Sequence, residues 1–372
     1  MSQFPSFPKL HNLAEIESPA LLFVEERIEA NIRRMLALVG GDANRLRPHV
    51  KTHKTPEIIA MQLREGVTRF KAATLAEAEM CAAMGASDVL LAYPLQGPAI
   101  GHLVELRREY PKTLFSMLVD SSEFMLPAEV CPALVKTPLD VFLDVDCGMG
   151  RTGIEPDARA VALYQHLCSS PQLRVRGVHA YDGHLHDPAL SNRHEACMEA
   201  FAPVLGLVRE LGAMGLTVPA LVAGGSPTFG IHAATPGREC SPGTTVLWDF
   251  GYGEKFPDLP FECAAFLLTR VVSKPRGDRL CLDLGHKAVA PEMAQPRVFL
   301  QGLEDARVLM QSEEHLVLET PRASEFALGA TVLGIPRHVC PSVSMHNTAI
   351  PFRNGVPGRP WKIAARGRQY LA

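Results

Sequence analysis

The chain has 372 residues, 47% hydrophobic and 21% charged, and carries a net charge of −3 with both signs mixed along it. This length exceeds one ordinary core and predicts two domains, while the absence of a basic field argues against nucleic acid as a partner. No apolar run approaches the ~18 residues of a membrane span, the N-terminal MSQFPSFPKLHNL lacks the basic and apolar regions of a secretory signal, and nine irregularly spaced cysteines without a CxxC pair fit reduced thiols in a cytoplasmic protein.

SPALLFVE (18–25) reads as a strand, followed by a helix from Glu26 to Val39 with Ile28, Ile32, Met35, Leu36 and Val39 on one face. RLRPHVKT (45–52) reads as the second strand, and Pro56 suits the first position of a helix running to Glu65. Six more strands follow at RFKAAT (69–74), DVLLAY (88–93), TLFSMLVD (113–120), PLDVFLDVD (138–146), RVRGVHAYDG (174–183) and PALVAGG (219–225), with mostly helical segments between them. This alternation predicts an α/β fold, a (β/α)8 TIM-like barrel over residues 12–258. Residues 259–372 change texture. Short strands such as AAFLLTRVVSK, RLCLDLG, RVFLQGL, HLVLET and ATVLGIPR, separated by Gly and Pro turns, predict a smaller C-terminal β domain.

Active-site groups of such barrels sit at the C-terminal ends of the strands. The second strand ends in Arg47-Pro48-His49-Val50-Lys51-Thr52-His53-Lys54. A lysine buried at a barrel mouth can lose its proton and attack an aldehyde, although a basic surface loop has the same composition. The sixth ends in Asp144-Val145-Asp146-Cys147-Gly148-Met149-Gly150-Arg151, where Arg151 is either functional or half of a structural arginine–aspartate pair. The seventh ends in His179-Ala180-Tyr181-Asp182-Gly183-His184, offering Tyr181 for ring contact and His184 for proton transfer. A hydrogen-bonded core histidine is the competing reading of His184. The eighth ends in Gly224-Gly225-Ser226-Pro227-Thr228, which is either a simple turn or a phosphate cradle of backbone N–H and hydroxyl donors. In the β domain, His338 and Cys340 would share one face of an extended strand. Two such donors suit a divalent ion, Zn²⁺ above all, though most H-x-C pairs are incidental.

RPHVKTHK resembles the cofactor-lysine motif of the D-threonine aldolase and D-serine dehydratase family, which are fold-type III, alanine racemase-like pyridoxal-phosphate enzymes. The resemblance continues in order through LDVDCGMGRTGI, GVHAYDGH, VAGGSPTF, ECSPGTTVLWD, CLDLGHKAV, SEEHL and HVCPSV, nearly the whole chain. It implies that Lys51 holds pyridoxal 5'-phosphate covalently and that Lys54 is a peripheral charge. It further implies that Lys51 and His184 are catalytic, that Arg151, Tyr181, Gly224, Gly225 and Ser226 bind the cofactor, and that His338 and Cys340 bind a divalent metal, Zn²⁺ first and Mn²⁺ or Mg²⁺ as options. The implied activity is a lyase acting on β-hydroxy D-amino acids, by retro-aldol cleavage to glycine and an aldehyde. The alternative is dehydration of D-serine or 3-hydroxyaspartate to a 2-oxo acid and ammonia, which the His-x-Cys pair favours, since aldolases of the family typically carry His-x-Asp. An amino-acid racemase leaves the metal pair unexplained, and a non-catalytic pyridoxal-phosphate carrier lacks the second domain. The family commonly has His-Asp after the metal pair, where this chain has His346-Asn347. Glu313, Glu314 and His315 form a further polar cluster expected near the site. A homodimer is expected.

Overall fold

A computed structural model describes residues 6–368, apart from 129 and 135. The chain separates into two compact units. One gathers the N-terminal segment through Arg34, Thr52–Ile58 and Thr244–Arg366; the other gathers Met35–Lys51 and Ile59–Gly243.

The first predicted strand forms as β1 (Ala20–Val24), but it is not a barrel strand. It pairs in parallel with a strand near residue 350 and antiparallel with one near residue 267, inside the β unit. The barrel sheet is parallel and consists of β2 (Arg69–Ala72), β3 (Asp88–Leu91), β4 (Leu114–Val119), β5 (Leu139–Val145), β6 (Leu173–Ala180), β7 (Ala220–Ala223) and β8 (Arg238–Cys240). Strands of a parallel sheet are covered on both faces and therefore read as apolar runs rather than alternations. All seven residues of β5 are accordingly buried. The predicted strand at 45–52 is instead an extended segment between two short 3-10 turns, Ala43–Arg45 and Val50–Thr52. Pro48 has no N–H to give a ladder. The segment still closes the ring: Arg47 N–H donates to Cys240 O, His49 N–H to Pro242 O, and Pro48 O accepts from Lys71 N–H. Among the described residues the barrel thus has seven strands and one irregular stave, and its last strand is β8, which the sequence reading did not identify.

Helices at Leu75–Ala83, Pro98–Glu109, Ala158–Ser169 and Leu190–Ala213 cover the sheet. Leu90, Leu118, Phe142 and Val222, from four different strands, form a buried cluster. Fully buried Arg47 donates to Asp88 at 2.7 and 3.1 Å and to Glu239 at 2.8 Å, and Glu239 also accepts from Arg69 at 2.7 Å. This ion network joins the irregular stave to the first residue of β3 and to β8.

In the other unit, β9 (Ala265–Ser273), β10 (Arg279–Leu282), β11 (Val298–Leu300), β12 (Arg307–Gln311), β13 (Leu316–Glu319), β14 (Thr331–Pro336) and β15 (Thr348–Arg353) build a mixed sheet ordered β12-β13-β10-β9-β1-β15. β14 pairs with β9 and β11. The predicted second domain is therefore a β domain, completed by a strand from the other end of the chain. Among the described residues, no helix is long and apolar enough to cross a membrane.

Candidate active site

Lys51 lies in the Val50–Thr52 turn that follows the irregular stave, with its side chain exposed. Its backbone N–H meets His49 Nδ1 at 3.4 Å. Lys54, by contrast, points its Nζ at Ala365 O, 3.4 Å away.

Tyr181, just after β6, forms the wall of the site. A Cβ on Gly183 would come 2.4 Å from its ring and one on Gly225 2.9 Å. Only glycines allow the ring to sit between the loops after β6 and β7. The Arg151 guanidinium lies 5.0 Å from the ring centroid, within cation–π range. His184 packs on the loop that carries Arg151, so closely that a Cβ on Gly148 would meet its Nε2 at 2.9 Å. His184 Nδ1 is buried with no partner among the described residues, which is unusual for a polar atom and suits one that meets a ligand. These residues belong to the barrel unit, and the structure brings Arg151, Tyr181, His184 and the Gly224–Ser226 loop together there.

The loop after β7 differs from expectation in one respect. The Gly224 N–H donates to Ala180 O at 3.1 Å, and the Gly225 N–H donates to Asp182 Oδ1 at 3.1 Å. Both donors expected to meet a phosphate directly are committed within the protein. Ser226 Oγ accepts from Gly243 N–H at 3.2 Å, and Ser241 Oγ donates to Gly224 O at 2.9 Å, so the loop after β8 abuts it.

A buried brace sets this loop. Asp182 Oδ1 also accepts from Thr228 Oγ1 at 2.9 Å, and Oδ2 lies 2.8 Å from His232 Nε2. Arg238 Nη1 meets His232 Nδ1 at 2.7 Å. A guanidinium only donates, so Nδ1 accepts and the proton sits on Nε2, pointing at Asp182. Cys197 is near both, 3.5 Å from His232 Nε2 and 3.8 Å from Asp182 Oδ2. Three donor types this close resemble a metal site. The chemistry argues otherwise: His232 has no lone pair left, and burial followed by the Asp182 charge pushes the Cys197 thiol up to about 12.

In the other unit, His338 and Cys340 are not on a strand. His338 is the N-cap of a helix, Val339–Met345, and Cys340 lies in its first turn. Pro341 is compatible with that turn, where N–H groups have no helical partner. Thr52 Oγ1 and Thr244 Oγ1 lie 3.1 and 3.7 Å from Cys340 Sγ, and His338 Nδ1 is 2.6 Å from Glu292 Oε1. Burial disfavours the imidazolium, but Cys340, Asp249 and Glu292 overcome it and raise His338 to about 9. A nitrogen, a sulfur and nearby carboxylates that together favour positive charge fit a divalent cation, with zinc the natural partner of imidazole and thiolate.

Glu313 and Glu314 are exposed and pair with Lys287. His346 Nε2 is 2.9 Å from Ala288 O, and Asn347 Oδ1 accepts from Arg366. Asp182, Lys71 and His179 were missed by sequence reasoning. A signal existed for Lys71, a charge set between the apolar Phe70 and Ala72 of a barrel strand, but none for the Asp182–His232–Arg238 alignment, which depends on three separate loops and strands.

Residues 25–247 match the family described as alanine racemase, N-terminal domain, and residues 264–351 match a putative serine dehydratase domain. The chain is 31% identical to a D-threonine aldolase of Arthrobacter sp. over 95% of this chain and 94% of that one. It is 28% identical to a 3-hydroxy-D-aspartate aldolase of Paracoccus denitrificans, covering 98% of this chain and 96% of the relative. The crystal structure of D-threonine aldolase from Filomicrobium marinum superimposes with a TM-score of 0.87 at 25% identity, covering 96% of this chain and 97% of that one. With its barrel unit matched almost throughout and a relative similar over both units, the chain belongs to the alanine racemase N-terminal domain family, in the branch shared with D-threonine aldolases.

Proposed function

We propose that the protein is a pyridoxal-phosphate- and divalent-metal-dependent lyase that cleaves β-hydroxy D-amino acids to glycine and an aldehyde. The observation that carries this reading is the barrel mouth, where Tyr181 is held between Gly183 and Gly225 with Arg151 beside its ring, in the same unit as the exposed Lys51. A flat aromatic wall, a guanidinium and a glycine loop suit a planar, anionic, phosphorylated ring. Bound there, pyridoxal phosphate would supply an electron sink, and a divalent ion would polarise the substrate hydroxyl.

The chain's own groups then have defined tasks. Lys51 holds the cofactor through its amine. Arg151 would contribute positive charge to hold the anionic ring, and Tyr181 an aromatic wall against it. Ser226 and the adjoining loop after β8 receive the phosphate, with Gly224 and Gly225 allowing the close approach. His184 would move a proton at the substrate through its Nδ1, which has no partner among the described residues. His338 and Cys340 hold the metal, for which zinc is the first candidate and manganese or magnesium the alternatives. Relatives named D-threonine aldolase and 3-hydroxy-D-aspartate aldolase support the cleavage reaction. A second reading, dehydration to a 2-oxo acid and ammonia, is favoured by the thiolate donor at Cys340 and by the serine dehydratase domain match. A homodimer in the cytoplasm completes the proposal.

The cofactor assignment is tested by borohydride reduction of the purified protein followed by peptide mapping. Modification at Lys51, with loss of the visible absorption band in Lys51→Ala but not in Lys54→Ala, is expected. A label at Lys54, or no visible band at all, would overturn it.

A further inference from the structure

A second lysine lies inside the barrel. Lys71 is the third residue of β2, is 2% exposed, and stands in register with His49, two residues before Lys51. Its Nζ donates to Ser241 Oγ at 2.5 Å, and Ser241 donates onward to Gly224 O at 2.9 Å. The same ammonium is 3.5 Å from His179 Nε2 and 5.6 Å from the centroid of the Tyr181 ring. His179 is oriented by Asp144, whose Oδ1 lies 2.7 Å from Nδ1. With Nδ1 donating to the carboxylate, Nε2 presents a lone pair towards Lys71.

Barrel interiors are ordinarily filled by branched apolar side chains. A buried ammonium costs several kcal/mol before compensation, so a lysine here is a poor choice for packing alone. We propose that Lys71 is a cofactor-positioning residue, bracing the Gly224 loop through Ser241 and supplying part of the positive charge that holds the anionic cofactor. The proposal rests on the pyridoxal-phosphate reading above.

The charges around it make its role pH-dependent. Burial, then Lys51, lowers Lys71 to about 7; Asp144 and Asp182 oppose this, and Arg151 adds to it. These groups come from the irregular stave, from β5 and its following loop, and from the loop after β6, while His179 faces it from β6. An anion bound nearby favours the ammonium and so raises this pKa. By linkage, affinity for the anion is greatest below about pH 7 and falls as pH rises through the range where Lys71 loses its proton. Each unit by which binding raises the pKa corresponds to about tenfold in affinity across that range.

The test is to equilibrate the holoenzyme with graded free pyridoxal phosphate between about pH 6 and 9, spanning the neutral range over which a perturbed lysine titrates. Bound cofactor is read from visible absorption in wild type, Lys71→Arg, Lys71→Met and Ser241→Ala. Comparison with the arginine variant cancels the cofactor's own titration, because a guanidinium keeps its charge throughout. The wild-type affinity is expected to fall about tenfold relative to Lys71→Arg over this range. Lys71→Met is expected to bind more weakly at low pH and to lose the wild-type slope. Ser241→Ala is expected to bind more weakly but keep the slope, since the charge remains. Parallel curves for wild type and Lys71→Arg would overturn the proposal, and so would a Lys71→Met curve superimposed on wild type. Either substitution decides if the other does not fold. Cofactor absent from wild type, or fixed by borohydride elsewhere than Lys51, would defeat the underlying reading; normal fixation at Lys51 with an unchanged slope defeats only this one.

Discussion

Asp182→Asn changes one atom of the buried brace and cannot be accommodated by it. The carboxylate accepts on both oxygens, from Gly225 N–H and Thr228 Oγ1 on one side and from His232 Nε2 on the other. An amide offers one oxygen and one NH2. With the oxygen kept towards Gly225 and Thr228, the NH2 faces the Nε2–H of His232. A switch of tautomer does not help, because the proton would then face the Arg238 guanidinium at Nδ1. One donor pair is therefore frustrated in either orientation, costing about 1–3 kcal/mol for the unsatisfied buried group. The surviving hydrogen bonds lose their charge assistance, worth roughly 1 kcal/mol each, while relief of carboxylate desolvation returns part of the loss. The net expectation is about 2–4 kcal/mol of destabilisation. Both tryptophans, Trp248 and Trp361, belong to the other unit, so urea unfolding of the barrel is best followed by far-ultraviolet circular dichroism. Cofactor affinity should fall as well, since the acceptor shared by Gly225 and Thr228 loses its charge. A variant with the wild-type unfolding midpoint and wild-type cofactor affinity would refute the reasoning.

Gly225→Val places a side chain against Tyr181, where even a Cβ would be 2.9 Å from the ring; it should displace Tyr181 and weaken cofactor binding more than folding, as compared by cofactor titration and thermal unfolding. Arg47→Met leaves Asp88 and Glu239 without their buried partner and should destabilise the barrel by about 3–5 kcal/mol in denaturant titration. Chelation should inactivate the enzyme without releasing pyridoxal phosphate, with activity restored by added divalent ion and His338→Ala resembling the chelated state. Cys340→Asp should shift metal preference from zinc towards manganese or magnesium, and elemental analysis that finds no metal in a fully active preparation would contradict both metal expectations.

The β/α alternation was readable because parallel strands covered on both faces are short apolar runs, as in LDVFLDV of β5. β8 was not, because Arg-Glu-Cys offers neither an apolar run nor an alternation. ALLFV looks like a barrel strand, and nothing local shows that its partners lie near residues 267 and 350. Strand pairing over such distances is a property of the whole chain. The same limit hid the brace behind Gly225, which needs residues 182, 228, 232 and 238 to meet. The residues themselves were more legible than their roles. Gly225 was expected to present its N–H to a phosphate and instead gives it to Asp182, making room for Tyr181. His338-Val339-Cys340 was expected on a strand, yet Asp249 Oδ2 accepts the Val339 N–H at 3.0 Å at the start of a helix.

The central claim is tested most directly by the products formed from D-threonine and from D-serine in the presence of pyridoxal phosphate and a divalent ion. Glycine and acetaldehyde from D-threonine, with no reaction of L-threonine, is the predicted result. Release of ammonia and a 2-oxo acid instead would establish dehydration and contradict the cleavage reading, and racemisation without either product would contradict both.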